Sequence, residues 1–444
     1  MKKFITLTIL FFLLILSVDA KSIDRRIDSQ IRNSGINKSS IAISIKDIDK
    51  NRVVYKLNDN ILMHPASVQK LLTIVPVMEV LGDDYKLSTT IYQRGDNGYL
   101  IKLGADPYLS SSDLENLVKK INREKITTIY IDDTVIEPKD WGEGWQWDDD
   151  LNVSMPRFNS YNLDGNVYKL TIMPTEKNKQ AQIINQNKIP LSLYNNILTG
   201  DKNNISIFRD NINAPNILKL DGTVSRTVVK TIPNNNLKKY FDYKLKTTLE
   251  DNRIYLKNPY VKSSVKSTDG YVFSISHPIE KAVEDVLLNS NNMVIESISK
   301  LGGSKYYKKQ GTDKDVINLC NEYFQKQGLD YSRIRLVDSS GVSKNNLVDA
   351  DFISEFLLKN KDNSTLKNMA APGQGTLTGR MLPIKDNLKA KTGTLSDISS
   401  IAGYVTSKNG RKYAFCIIIN DPQSTNSEKK GLEDYIIREM YMNL

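Results

Sequence analysis

Ser67 and Lys70 stand three positions apart in the stretch His64-Pro65-Ala66-Ser67-Val68-Gln69-Lys70-Leu71-Leu72-Thr73. On a helix that spacing puts both side chains on one face. A serine hydroxyl is a poor nucleophile until a base takes its proton, and a lysine amine held neutral by its surroundings can do so. Histidine is the commoner base, but the chain has only two, His64 and His277. One abuts a helix start and the other precedes Pro278, so lysine is the better candidate. With only two cysteines besides, no His/Cys cluster has metal-ligand spacing, and neither a metal nor a cofactor is expected. Ser-x-x-Lys by itself is weak, because Ser263 to Lys266, Ser297 to Lys300 and Ser364 to Lys367 also match. The helical context of Ser67 and two partner motifs downstream set it apart.

The first partner is Lys391-Thr392-Gly393-Thr394, ahead of a predicted strand. A strand edge with a lysine, hydroxyls and a glycine that lets a ligand approach the backbone suits binding of a carboxylate. The second is a Ser-x-Asn, and several stretches fit. Ser424/Asn426 lies on a loop after the last strand, and Ser160/Asn162 in an Asn-rich region away from the helices. Ser290/Asn292 sits between two amphipathic helices, a junction able to hold a hydroxyl and an amide toward a cleft. It is preferred, with Ser343/Asn345 in the turn after Asp338 as the alternative.

These groups need a scaffold. Pro65 ahead of Leu71, Leu72, Ile74, Val75, Val77, Met78, Val80 and Leu81 predicts a long buried helix starting near Ser67, ending at Gly82 and kinked at Pro76. Ile41 to Ile45 and Val53 to Leu57 read as a hairpin, as do Ile401 to Thr406 and Lys412 to Asn420. The two hairpins can share one antiparallel sheet flanked by helices predicted at Lys281 to Leu288, Met293 to Leu301, Asp315 to Gln327, Asp349 to Lys359 and Glu428 to Tyr441. Between them the chain changes character. Short strands are predicted at Leu87 to Tyr92, Tyr99 to Leu103, Thr127 to Ile131, Tyr168 to Ile172, Thr227 to Val229 and Ile254 to Leu256. A helix is predicted from Leu114 to Ile121 and another near Leu237 to Glu250. Trp141, Trp145 and Trp147 cluster in a loop followed by the acidic run Asp148 to Asp150.

Together, Ser67-x-x-Lys70, Ser290-x-Asn292 and Lys391-Thr392-Gly393 make the three-part signature of penicillin-recognising serine enzymes. With Gly104-Ala105-Asp106-Pro107, Gly144-Trp145-Gln146-Trp147 and Asp338 to Ser343, the chain resembles the D-alanyl-D-alanine carboxypeptidase/endopeptidase family of class C low-molecular-mass penicillin-binding proteins. The likeness spans nearly all of the chain after its first residues. It implies an α+β fold of the penicillin-binding/serine β-lactamase-like kind: an antiparallel sheet flanked by helices, a helical lobe and large inserted domains. The domains would be 1–20 as signal peptide, 21–84 and 265–444 as catalytic domain, and 85–264 as insert.

The resemblance also implies roles. Ser67 would be acylated, Lys70 would deprotonate it, Ser290 would relay a proton to the leaving amine, and Asn292 would hold the substrate amide. Lys391 would keep the site positive, while Thr392, Gly393 and Thr394 would bind the terminal carboxylate. The N–H groups of Ser67 and Thr394 would form the oxyanion hole. By the same token Asp149, with Asp148 as alternative, and Arg380 would contact substrate side chains, Asp149 taking the amine of the stem peptide's third residue. Family members tend to carry an aromatic five positions after that aspartate, where this chain has Ser154. Expected partners are peptidoglycan peptides ending in D-Ala-D-Ala and β-lactam antibiotics. A serine β-lactamase and a non-catalytic wall-peptide scaffold are the rival readings.

Bulk properties agree with that setting. The 444 residues, 40% hydrophobic and 25% charged, predict a globular chain of two or more domains. Lys2, Lys3, the apolar run from Phe4 to Leu16 and Val18-Asp19-Ala20 read as an export signal, with an uncleaved anchor as the alternative. The expected location is therefore a periplasm or the extracellular wall space. The net charge of +10 is scattered, which suits anionic wall polymer or peripheral membrane contact and argues against nucleic acid. Cys416 reads as a buried strand thiol, with a bridge to Cys320 as the alternative.

Overall fold

The computed structural model describes residues 23–124, 126–186, 191–210, 212–256, 258–262 and 270–444. The export segment and the Ser263 to Lys266 match lie outside the described residues. The chain divides into two compact units: one takes in the chain up to Gly82, Glu280–Asn291 and Asp313–Leu444, the other Asp83–Ile279 and Asn292–Thr312.

The first unit is built on one five-stranded antiparallel sheet. Its strands are β1 (Ile41–Asp47), β2 (Arg52–Leu57), β3 (Leu388–Thr394), β4 (Ile398–Thr406) and β5 (Lys412–Asn420), in the order β3-β4-β5-β1-β2. Ile41 pairs with Ile419 and Asp47 with Tyr413, so the first and last hairpins join as the sequence suggests. Every residue of β1 is buried, which requires cover on both faces. On one face Ile41, Ile43 and Ile45 pack with helix α1 (residues 23–34) and with Leu432, Ile436, Ile437 and Met440 of the closing helix α6 (Asn426–Asn443). On the other, Ser44 Oγ meets Ser354 Oγ at 2.8 Å, and Lys46 Nζ bonds Glu355 at 2.6 Å and Asp351 at 3.0 Å. Those three partners belong to α5 (Ala350–Lys359), capped by the Asp349 carboxylate on the Phe352 N–H.

Helix α2 (Lys70–Leu81) is apolar on all sides and buried along almost its whole length, as a central helix should be. It contains Pro76 and ends at Gly82, whose φ of 78° allows its N–H to close onto Met78. Helices α3 (Ile279–Leu288) and α4 (Asp313–Lys326) complete the unit's main helices. Cys320 and Cys416 are both buried free thiols, so the bridge left open by the sequence is not formed.

Among its described residues the second unit holds three sheets. A five-stranded sheet runs in the order Asn258–Lys262, Thr128–Asp132, Gly98–Lys102, Lys86–Arg94, Tyr271–Pro278. Two three-stranded sheets follow: Val228–Pro233, Val167–Met173, Gln182–Asn185, and Ser192–Thr199, Ile217–Val224, Asn204–Phe208. Ile254 to Leu256, expected as a strand, is irregular; the helix Leu237–Asp251 ends just ahead of it, and the Leu249 carbonyl accepts the Ile254 N–H. The unit also gathers more than the insert 85–264. Tyr271–Pro278 pairs antiparallel with Lys86–Arg94, and the helix Asn292–Tyr307 buries Met293 against Asn166. Contacts between residues so far apart in the chain leave no local mark in the sequence, so the unit runs past the boundary expected at residue 264.

Candidate active site

Ser67 lies on a short 3₁₀ turn, Ala66–Gln69, that runs directly into α2. The turn keeps Ser67 and Lys70 on one side, and Lys70 Nζ is 2.8 Å from Ser67 Oγ. Ala66 has φ 48°, a left-handed conformation uncommon for a residue with a Cβ. Lys70 is fully buried, and its Nζ is also held at 2.8 Å by the carbonyl of Ser340.

That carbonyl comes from a loop organised by Asp338. The Asp338 carboxylate accepts the N–H groups of Gly341 and Ser343 and the Asn346 amide, each at 2.8 Å. Gln69 Nε2 donates to the Asp338 carbonyl at 2.5 Å, and Thr73 Oγ1 donates to the Ser339 carbonyl at 2.9 Å. Asp338 and Ser343 thus act as turn builders, and the turn is clamped to the nucleophile's helix. Gly341, at φ 80°, passes so close that an added Cβ would stand 2.0 Å from the Ala66 carbonyl. Ser340 carries no mark in the sequence because it contributes a backbone atom. The one available signal is the Asp-Ser-Ser-Gly string, in which a side chain that caps its own turn precedes a glycine.

β3 carries the second lysine. Lys391 is fully buried; its Nζ donates at 2.8 Å to Ser290 Oγ and at 2.8 Å to the Thr392 carbonyl. Burial first, and the charge of Lys70 second, hold Lys391 well below the ordinary lysine range. Thr392 Oγ1 donates to Thr376 Oγ1 at 2.7 Å, a neighbour the motifs do not announce. At Gly393 the strand runs against the nucleophile's turn: an added Cβ would lie 2.8 Å from the Ser67 nitrogen and 2.3 Å from Ser400 Oγ. Ser400 in turn donates to the Pro65 carbonyl at 2.7 Å. Thr394, exposed, pairs with Ser399 at the end of the strand. Ser67, Lys70, Ser290, Lys391, Thr392 and Gly393 are therefore tied together within one unit by bonds of 2.8 Å or by van der Waals contact.

Ser290 has φ 63° and stands just after α3, in the junction expected of it. Asn292 opens the helix Asn292–Tyr307 of the second unit, and its Nδ2 donates to the Ser154 carbonyl at 2.8 Å. Asp149 is half-buried on a 3₁₀ turn, Trp147–Leu151, in the same unit, with Asp148 exposed beside it. Of the three tryptophans, Trp145 is buried against Phe158 and Trp141, while Trp147 is 71% exposed. Arg380 departs from expectation. Its guanidinium is spent on α6, bonding Asp434 at 2.6 Å and Glu433 at 2.8 Å, because the buried Glu433 needs a counterion.

The Ser297 to Lys300 match and the two histidines are engaged by partners of their own. In Ser297 to Lys300 the lysine pairs with Glu137 at 3.0 Å. His277 Nδ1 lies 2.6 Å from Asp106, and His64 Nδ1 lies 3.1 Å from the Asn346 carbonyl. Among the described residues no group of three His, Cys, Asp or Glu side chains is placed to hold a metal ion. A pocket of about 460 Å³ is lined by Asp49, Lys361, Lys367, Lys389, Tyr404 and Lys412 among others, but by none of Ser67, Lys70, Ser290, Asn292, Lys391, Thr392 or Gly393.

The family described as D-Ala-D-Ala carboxypeptidase 3 (S13) matches residues 23–438. The chain belongs to that family. It is thus a serine-type peptidase of the S13 kind. Among curated proteins this S13 chain is 25% identical over 431 residues to D-alanyl-D-alanine carboxypeptidase DacB of Haemophilus influenzae, covering 88% of each. It is 22% identical over 435 residues to the D-alanyl-D-alanine carboxypeptidase of Actinomadura sp. strain R39, covering 89% of this chain and 80% of that one. The crystal structure of penicillin binding protein 4 (dacB) from H. influenzae superposes with a TM-score of 0.79 at 22% identity, over 90% of this chain and 95% of that one. The same protein complexed with a novel β-lactam gives 0.76 at 21% identity, over 93% and 99%. The S13 fold is therefore the penicillin-binding one.

Proposed function

We propose that this S13 protein is an exported serine carboxypeptidase that removes the last residue from wall peptides ending in D-Ala-D-Ala, and that it also cuts peptide cross-links. The observation that carries the reading is the 2.8 Å contact of Lys70 Nζ with Ser67 Oγ, beside a buried Lys391 bonded to Ser290. Ser67 Oγ attacks the carbonyl carbon of the penultimate residue while Lys70 Nζ takes its proton. The tetrahedral oxyanion is met by backbone N–H groups at Ser67 and Thr394; one such donor lowers the barrier by about 2.7–4 kcal/mol. The C–N bond then breaks, a proton passes through Ser290 to the leaving amine, and D-Ala departs. Water then attacks the ester carbonyl while Lys70 takes its proton; the C–Oγ bond breaks, that proton passes to Ser67 Oγ, and the shortened peptide leaves with its new carboxylate. Lys391, Thr392 and Thr394 suit a substrate that ends in a free carboxylate.

A β-lactam follows the same first step, but its amine stays tethered after ring opening, so the ester persists. The H. influenzae relative complexed with a β-lactam supports binding of this class of compound. Asp149 is assigned to a free amine on the substrate's side chain, and the N-terminal apolar segment supports action outside the cytoplasmic membrane.

Intact-mass spectrometry after brief exposure to penicillin tests the reading. One adduct is expected, on Ser67, and none on Ser67→Ala. Labelling that survives in Ser67→Ala, or rapid steady-state turnover of penicillin by the wild type, would overturn it, the latter in favour of a β-lactamase.

A further inference from the structure

The acidic turn Trp147–Leu151 is held from beneath by buried charges that the reaction does not use. Asp150 is buried, and each of its carboxylate oxygens faces a different arginine: Oδ1 lies 3.3 Å from Arg157 Nη2, and Oδ2 lies 3.3 Å from Arg209 Nε. Arg209 has a side chain with no exposed surface. It stands directly after the strand Asn204–Phe208, and its Nη2 donates at 2.8 Å to the carbonyl of Pro233, where the strand Val228–Pro233 ends. Arg157 is fixed in turn by Asp140 at 2.9 Å and by the Trp141 ring, 5.0 Å from its guanidinium carbon. Two strands of the insert and the tryptophan loop therefore converge on Asp150.

Placing an arginine in a fully buried position is costly unless its charge is met; here Asp150 meets the charge and the Pro233 carbonyl takes one donor. Surface turns do not need such an anchor to exist; a turn whose neighbouring side chain must stay put does. In the Trp147–Leu151 turn Asp149, next in sequence to the anchor, is half-buried and Trp147 is mostly exposed. Asp150 is held by its two ion pairs, so of the three aspartates it is the buried anchor, while Asp149 is half-buried and Asp148 exposed.

We infer that Arg209, acting through Asp150, is a positioning residue that fixes Asp149 for a substrate side chain ending in an ammonium group. The inference rests on the assignment of Asp149 above. It also gives the insert a role in recognition, because its strands deliver the arginine that makes the turn rigid. Arg157 alone cannot substitute, because its guanidinium is shared with Asp140.

The test compares two peptides ending in D-Ala-D-Ala whose third residue carries either a free side-chain amine or the same amine acetylated. The measured quantity is the ratio of their kcat/KM values, in which general damage to the enzyme cancels. In Arg209→Met the preference for the free amine is expected to fall about tenfold, through KM rather than kcat, to the level of Asp149→Asn. Arg209→Lys keeps the charge and is expected to restore part of it. The acetylated peptide shows that each variant is folded and active. A preference unchanged in Arg209→Met while Asp149→Asn loses it would overturn the inference and leave the assignment of Asp149 standing. A preference unchanged in Asp149→Asn would overturn both.

Discussion

Gly393 passes the nucleophile so closely that a methyl group there would stand 2.8 Å from the backbone nitrogen of Ser67. The same methyl would meet Ser400 Oγ at 2.3 Å and Ala66 Cβ at 3.0 Å. All three neighbours belong to packed structure: Ser400 is fixed to the Pro65 carbonyl, and Ala66 already occupies a left-handed conformation. Gly393→Ala must therefore push β3 and the nucleophile's turn apart. Displacing reacting groups by about 1 Å can cost about 100-fold in rate. The acylation rate by penicillin is expected to fall by about that factor, with the thermal transition still cooperative. Stopped-flow acylation measures it, and a rate within a few-fold of wild type would show that this contact is not needed.

Lys391 makes the stability of the protein depend on pH. In the native protein, burial and the neighbouring Lys70 charge hold its proton affinity well down, whereas the unfolded chain has the ordinary value of about 10.4. Between the depressed native value and the ordinary range, the unfolded state binds more protons, so stability rises with pH across that window and is lower at the acid side. In Lys391→Met this dependence is absent. Urea midpoints of wild type and variant, measured side by side, should therefore shift in favour of the wild type as pH is raised toward about 10. The difference reports the two lysines as a coupled pair. A difference flat in pH would mean that Lys391 holds its proton as an exposed lysine does.

The sequence announces the groups that act through side chains and is silent on those that act through backbone. Ser67, Lys70, Ser290 and Lys391 meet as their motifs imply, because residue type and spacing are both visible in a string of letters. The Ser340 carbonyl on Lys70 is not visible there, since any residue can supply a carbonyl and only the Asp338 turn aims this one. The two outer hairpins are legible from alternation and join as expected. The insert is legible in part: Lys86–Arg94, Gly98–Lys102, Thr128–Asp132 and Val167–Met173 fall on predicted strands, whereas Ser192–Thr199 and Ile217–Val224 are not predicted, and in the former the apolar residues come in adjacent pairs (Leu193 with Tyr194, Ile197 with Leu198) that break the alternation. Arg380 shows a further limit, because charge alone does not tell a ligand-facing arginine from one neutralising a buried glutamate.

The two thiols should be silent in the folded protein. Cys320 is fully buried in α4, and burial pushes its thiol up to about 12; Cys416, buried in β5, is raised further by the Asp349 and Glu433 charges. Only a thiolate attacks a disulfide reagent, so neither group has both access and ionisation at neutral pH. Ellman's reagent is expected to find no reactive thiol in native protein and two in denaturant. A thiol that reacts promptly under native conditions would mean that α4 or the central sheet opens readily.

The ion cluster at Arg380 predicts a loss of stability without a loss of binding. Glu433 has no exposed side-chain surface, and burial raises its proton affinity while Arg380 opposes that shift. Removing one partner of a buried pair leaves the other charge unmet, typically at a cost of about 3–5 kcal/mol. Arg380→Ala should be destabilised by about that amount, and Glu433→Gln added to it should recover part of the loss because the orphaned charge is gone. If the guanidinium instead served the substrate, Arg380→Ala would raise KM sharply and leave the urea midpoint nearly in place. Denaturation curves and KM for a D-Ala-D-Ala peptide, taken on the same three proteins well below their unfolding temperatures, separate the two outcomes. The contacts with Glu433 and Asp434 favour the first, since a guanidinium bonded to two carboxylates has little left to offer a third.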